Sequence, residues 1–97
     1  MGARSIFMEV GSIDKKKVLS AFKKRVKWDV YEYGHNEYSG TFGTFSGLNF
    51  KMNQEFSSAE EAKEFILKLS DKWGDAIAVV VNTGQEVYTL IGGWAAE

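Results

Sequence analysis

Apolar and polar side chains alternate over residues 4–10, with Ile6, Met8 and Val10 on one side and Ser5, Phe7 and Glu9 on the other. That period of two is the signature of a half-buried strand. Gly11 ends the run, and Ser12 stands where an N-cap hydroxyl would accept from a first-turn amide of a helix. Val18, Leu19, Phe22 and Val26 then recur at helical spacing, predicting a helix to about Lys27 whose opposite face carries Lys16, Lys17, Lys23, Lys24 and Lys27. Alternation resumes over residues 28–33, which predicts a second strand with Trp28 and Val30 inward and Tyr31 and Tyr33 outward.

Residues 34–39 are turn-rich, and a third strand is expected within 40–52, bent where Gly40, Gly43 and Gly47 interrupt it. Ser58 and Glu61 have the spacing of a capping box, opening a second helix with Ala62, Phe65, Ile66, Leu69 and Trp73 as its buried stripe and Gly74 as its stop. Residues 76–81 form an uninterrupted apolar run of the kind a central strand covered on both faces requires. A hairpin turn at 82–85 leads to a last strand at 86–91, after which Gly92 and Gly93 are expected to release a short tail carrying Trp94. The predicted fold is α+β in the order β-α-β-β-α-β-β, an antiparallel or mixed sheet with two helices packed on one face, a ferredoxin-like variant. On this reading the other sheet face is open and displays Phe7, Tyr31 and Tyr33, and apolar rings in solvent mark a contact surface.

Composition narrows the function classes. The 97 residues, 44% of them hydrophobic and 26% charged, fit one soluble domain spanning 1–97. No apolar run approaches the length of a membrane span, and residues 1–10 lack the hydrophobic segment of a signal peptide. With no cysteine and one histidine there is no disulfide framework, no thiolate metal site and no metal or other cofactor to expect, and a cytoplasmic location fits. Net charge is −1, yet residues 1–27 carry eight Lys or Arg against two acids while residues 28–97 carry four against eleven. Such a chain is a dipole. General nucleic-acid affinity from bulk charge is not expected, although the local basic surface can meet phosphates or an acidic partner.

Chemistry-bearing residues concentrate in 31–50. Phe7 within Ile6-Phe7-Met8-Glu9-Val10, and Phe42 and Phe45 within Gly40-Thr-Phe-Gly-Thr-Phe45, are loosely similar to the two aromatic signatures of the RNA-recognition motif, in which such rings would stack bases. The likeness departs from that family at Ser39, where a basic residue belongs, and in the three-residue spacing of Phe42 and Phe45. Independently of it, glycine-rich backbone can cradle a phosphate and aromatic faces can sandwich a base. The expected ligand site is Tyr31, Tyr33 and Tyr38 for stacking, His35, Asn36, Ser39 and Thr41 for hydrogen bonds, and the amides around Gly40 and Gly43 for phosphate. No P-loop, dinucleotide fingerprint or nucleophile elbow is present, and His35 alone names no catalytic residue. The function expected is therefore a small non-enzymatic domain, such as an accessory protein of a phage or microbe, that binds or sequesters a nucleotide-like small molecule. The alternative is a protein-interaction or inhibitor module, in the form of a homodimer or not, acting through the open sheet face at Phe7 or through Lys16, Lys23, Lys24 and Lys27.

Overall fold

The computed structural model describes residues 3–33, 45, 47–70 and 74–96. Strand β1 (Ala3–Val10) leads into helix α1 (Lys15–Tyr33), followed by β2 (Leu48–Phe56), α2 (Ala59–Leu69), β3 (Ala76–Asn82) and β4 (Val87–Ala96). The strands make one four-stranded sheet in the order β1-β4-β3-β2, with β2 parallel to β3 and both contacts of β4 antiparallel. The fold is α+β with a mixed sheet and two helices, as the patterning predicts. Its exact topology differs by one strand.

The core is centred on β3. Every residue from Ala76 to Val81 is buried, and all but Val80 are shared between two clusters by alternation. Ile77, Val79 and Val81 join Tyr88 and Leu90 of β4 and Ala62 and Ile66 of α2. Ala76 and Ala78 join Ile91 and Ala95 of β4, Phe45, and Val18 and Phe22 of α1. Since adjacent strand residues point to opposite faces, the two helices cover opposite sides of the sheet. This corrects the expectation that both pack on one face, and the reason is topological. From β1 at one edge the chain crosses to β2 at the other, then steps back to β3. Parallel crossovers are right-handed, so reversing the lateral direction moves the second helix to the other face. The face expected to be open is covered by α2, and Phe7 on it is half-buried with the Lys63 ammonium 5.2 Å from its ring centroid.

Residues 28–33 are the last turns of α1, not a strand. Nothing between Lys27 and Trp28 interrupts the helix, and extending a formed helix adds one hydrogen bond per residue without a new nucleation cost. Helical continuation also places Asp29 one turn beyond Arg25, whose Nε donates to the Asp29 carboxylate at 3.1 Å while Asp29 itself is buried. The start of α1 differs too. Asp14 caps it, its carboxylate accepting from the Lys16 amide at 2.9 Å and its carbonyl from the Val18 amide. Ser12 lies just before, accepting from the Asp14 amide and lending its carbonyl to the buried Thr89 hydroxyl at 2.7 Å.

Helix α2 opens as predicted, with the Ser58 hydroxyl accepting from the Glu61 amide at 3.3 Å. It closes earlier than Gly74, at the C-cap Ser70. The Ser70 side chain is held by β4, accepting from the Trp94 amide at 3.1 Å, while the Trp94 indole N–H donates to the Leu67 carbonyl at 3.0 Å. Strand β4 accordingly runs through Gly92 and Gly93 instead of ending before them. A Cβ at Gly92 would meet the Phe7 ring and the Ile6 carbonyl, and one at Gly93 would meet Ser70 and Phe45, so both glycines let neighbours approach β4. The β3–β4 turn is as expected: Asn82 accepts from the Gly84 amide at 3.0 Å, and Gly84 takes φ +89. Strand β2 pairs with β3 over Leu48 to Phe50 and again at Glu55 and Phe56, slipping register between them. This irregularity at 51–54 follows Gly47, while Gly40 and Gly43, where a bend is also expected, lie outside the described residues.

Truncating the fully buried Ile66 to Ala should cost about 2–5 kcal/mol by the transfer and cavity terms, whereas Leu69→Ala on the exposed flank of α2 should cost under about 1 kcal/mol. Urea unfolding midpoints of the two variants check this.

Candidate functional site

Of the residues expected to hold a small ligand, His35, Asn36, Tyr38, Ser39, Gly40, Thr41 and Gly43 lie outside the described residues, as do the Phe42 of the aromatic signature and Trp73. Tyr31 is described and sits on α1, 82% exposed. Tyr33 ends the same helix. The surface that the described residues do assemble is the outward face of α1.

Its construction follows from helical periodicity. Val18, Phe22 and Asp29 are buried toward the sheet, and residues spaced by three or four positions on the other side of a 3.6-residue turn form the opposite face. Lys16, Ser20, Lys23, Lys24 and Lys27 occupy it, all exposed, and Tyr31 continues the row. Lys17 and Trp28 flank it, Trp28 56% exposed and its ring centroid 6.4 Å from that of Tyr31 at an interplanar angle of 33°. Lys15 belongs elsewhere, its ammonium 5.9 Å from the Phe50 ring on the sheet side. Arg25 is turned toward the buried Asp29. The outward face is thus made of lysines and two aromatic rings, and residues 15–28 contain no acid to neutralise it.

Shallow depressions run beside this row. One of about 430 Å³ lies among Lys16, Leu19, Ser20, Lys23, Lys24 and Lys27. A second, of about 270 Å³, lies among Lys24, Lys27, Trp28 and Tyr31. A third, of about 320 Å³, separates α1 from β2: Leu19, Phe22, Val26, Phe45, Gly47 and Leu48 give it apolar walls, and Lys23 and Lys27 border it.

Sequence patterning alone identifies the lysines but not Trp28, which a strand reading points inward. The signal available for it is its place four residues after Lys24 and three before Tyr31, the spacing that puts all three on one helix flank. Among the described residues no group of His, Cys, Asp and Glu could hold a metal ion, and no helix is long and apolar enough to cross a membrane. Comparison with protein-family models, curated proteins and solved structures finds no match for the chain.

The lysine row is costly where it begins. The first turn of α1 has no acidic side chain and carries Lys15, Lys16 and Lys17 against the positive end of the helix dipole. Lys16→Glu should raise stability by about 0.3–1 kcal/mol at low ionic strength, read as a higher urea midpoint. An unchanged or lower midpoint would show that the lysine does not burden the helix.

Proposed function

We propose that the protein is a non-enzymatic binding module that docks an acidic macromolecular partner on the outward face of α1. One observation supports this above others: Lys16, Lys23, Lys24 and Lys27 stand together in solvent on one side of a 19-residue helix without an acid among residues 15–28. Surface lysines chosen for stability alone would be interleaved with glutamates as i, i+4 pairs. Here the two acids of α1, Asp29 and Glu32, fall beyond the lysines, and α2 carries Glu60, Glu61 and Glu64. A segregated patch of this kind steers an oppositely charged partner toward one face. The absence of cysteine accords with work in the cytoplasm.

A second reading keeps the nucleotide-like small ligand, and one observation favours it. The groove between α1 and β2 has apolar walls for a base or acyl group and Lys23 and Lys27 to meet its phosphate, and Phe45 and Gly47 bring the glycine-rich segment to its border. Its volume of about 320 Å³ is at the small end of ligand sites.

Chromatography on an immobilised polyanion such as heparin, at about 0.1 M salt where exposed charges still act over about 10 Å, tests the first reading. The wild type should be retained and eluted by salt, and the triple variant Lys23→Glu, Lys24→Glu, Lys27→Glu should flow through with an unchanged far-UV spectrum. Coincident elution of the two would contradict it. For the second reading, a mono- or dinucleotide should raise the melting temperature, and Lys27→Glu should abolish the rise; no nucleotide doing so would remove it.

A further inference from the structure

The rings of Trp28 and Tyr31 define the acidic partner further. We infer that the outward face of α1 binds single-stranded nucleic acid, with Lys16, Lys23, Lys24 and Lys27 on successive phosphates and Trp28 and Tyr31 as a platform for unstacked bases. The inference rests on the polyanion reading above and deepens it.

Three features lead to this class of partner. The lysines and rings follow one another along the helix axis, spanning about 22 Å from Lys16 to Tyr31 at 1.5 Å per residue, so a strand tracking the lysines reaches the rings without turning. Both rings are exposed although burial would have stabilised the fold, Trp28 by 56% and Tyr31 by 82%, and they border a depression of about 270 Å³ with Lys24 and Lys27. A cationic track that ends in flat aromatic faces is the arrangement by which single strands are held without sequence preference, since every base offers a π-face. An acidic peptide would use the lysines but has no need of two solvated rings.

A duplex suits the face less well. Reading a major groove takes arginine, asparagine or glutamine aimed at base edges. The outward face has none, and the one arginine of α1 is engaged by Asp29. Stacked bases inside a duplex also leave Trp28 and Tyr31 nothing to stack on. The chain after α1, which carries nine acids against four basic residues in 34–97, repels phosphate and so orients the molecule with α1 toward the strand.

Fluorescence anisotropy decides the matter, with three labelled probes of equal charge: a single-stranded homopyrimidine oligonucleotide of about 12 nucleotides, within the site sizes known for such surfaces, a duplex, and polyglutamate. The single strand should bind most tightly, with log K falling against log salt at a slope of about −3, the product of about 0.7 per phosphate and four lysines. The double variant Trp28→Ala, Tyr31→Ala should weaken it at least about fivefold while leaving that slope unchanged. Lys24→Gln with Lys27→Gln should reduce the slope by about 1.4. In the otherwise native protein, single-strand binding should quench tryptophan emission, and Trp28→Phe, which keeps a ring, should abolish the quenching but preserve most of the affinity. Binding of duplex or polyglutamate as tight as the single strand, or a double aromatic variant that binds like wild type, would overturn this inference and leave the polyanion reading standing. No binding to any of the three probes would overturn both.

Discussion

The burial of β3 on both faces is the constraint from which the rest of the structure follows. A strand made of Ala76 to Val81 has no polar side chain to offer water, so both of its sides must be covered. Ile77, Val79 and Val81 take α2, and Ala76 and Ala78 face α1. Small alanines on the α1 side leave room for the larger Phe22, Phe45 and Ile91, while the β-branched residues on the α2 side meet Ala62 and Ile66. Large therefore meets small on the α1 side and at Ala62 on the α2 side, as close packing requires. Fully burying side chains of this size is worth about 1.5–3 kcal/mol each, and most of that gain requires both helices in place.

With α1 committed to one face of the sheet, its other side has no structural task. Val18, Phe22 and Asp29 use the inward side, Arg25 reaches back to Asp29, and Lys15 leans over Phe50. What is left outward is the lysine row and the pair of rings. The helix macrodipole disfavours cations at the start of that row by about 0.3–1 kcal/mol each, and Trp28 and Tyr31 forgo burial that would stabilise the fold. Neither these lysines nor the two rings belong to either core cluster. The segregation of charge, basic in residues 1–27 and acidic in 28–97, belongs to the same logic, because it would favour approach of a polyanion from the lysine side.

Much of this architecture is legible in the sequence wherever the signal is local. Ser58 with Glu61, Asn82 with Gly84, the alternation of Ile6, Met8 and Val10 and the unbroken run 76–81 each depend on residues within one turn or one strand, and each forms as read. The lysine face is visible for the same reason. Residues 28–33 are misleading, because Trp28, Val30 and the polar residues between them satisfy a period of two, while the marks of a helix, the Arg25–Asp29 pair and the lack of any breaker, span the boundary between two windows. Which face each helix covers depends on the strand order β1-β4-β3-β2, and strand order is set by pairings between distant segments that no local pattern records. Gly92 and Gly93 read locally as a release from the sheet, yet they serve the close approach of Phe7, Ser70 and Phe45, partners far away in sequence. The candidate ligand residues from His35 to Gly43 lie outside the described residues, so the site drawn from the structure rests on Tyr31 and the lysines, joined by Trp28, which strand alternation turns inward.

The division of the helices between the two faces is the claim on which the exposed lysine surface depends, and methyl nuclear Overhauser contacts test it most directly. The methyls of Val18 should show cross-peaks to the side of the sheet that carries Ala78 and Ile91, those of Ile66 to the side that carries Val79 and Leu90, and none should connect Val18 with Ile66. A cross-peak between Val18 and Ile66 would put both helices on one face and contradict the account.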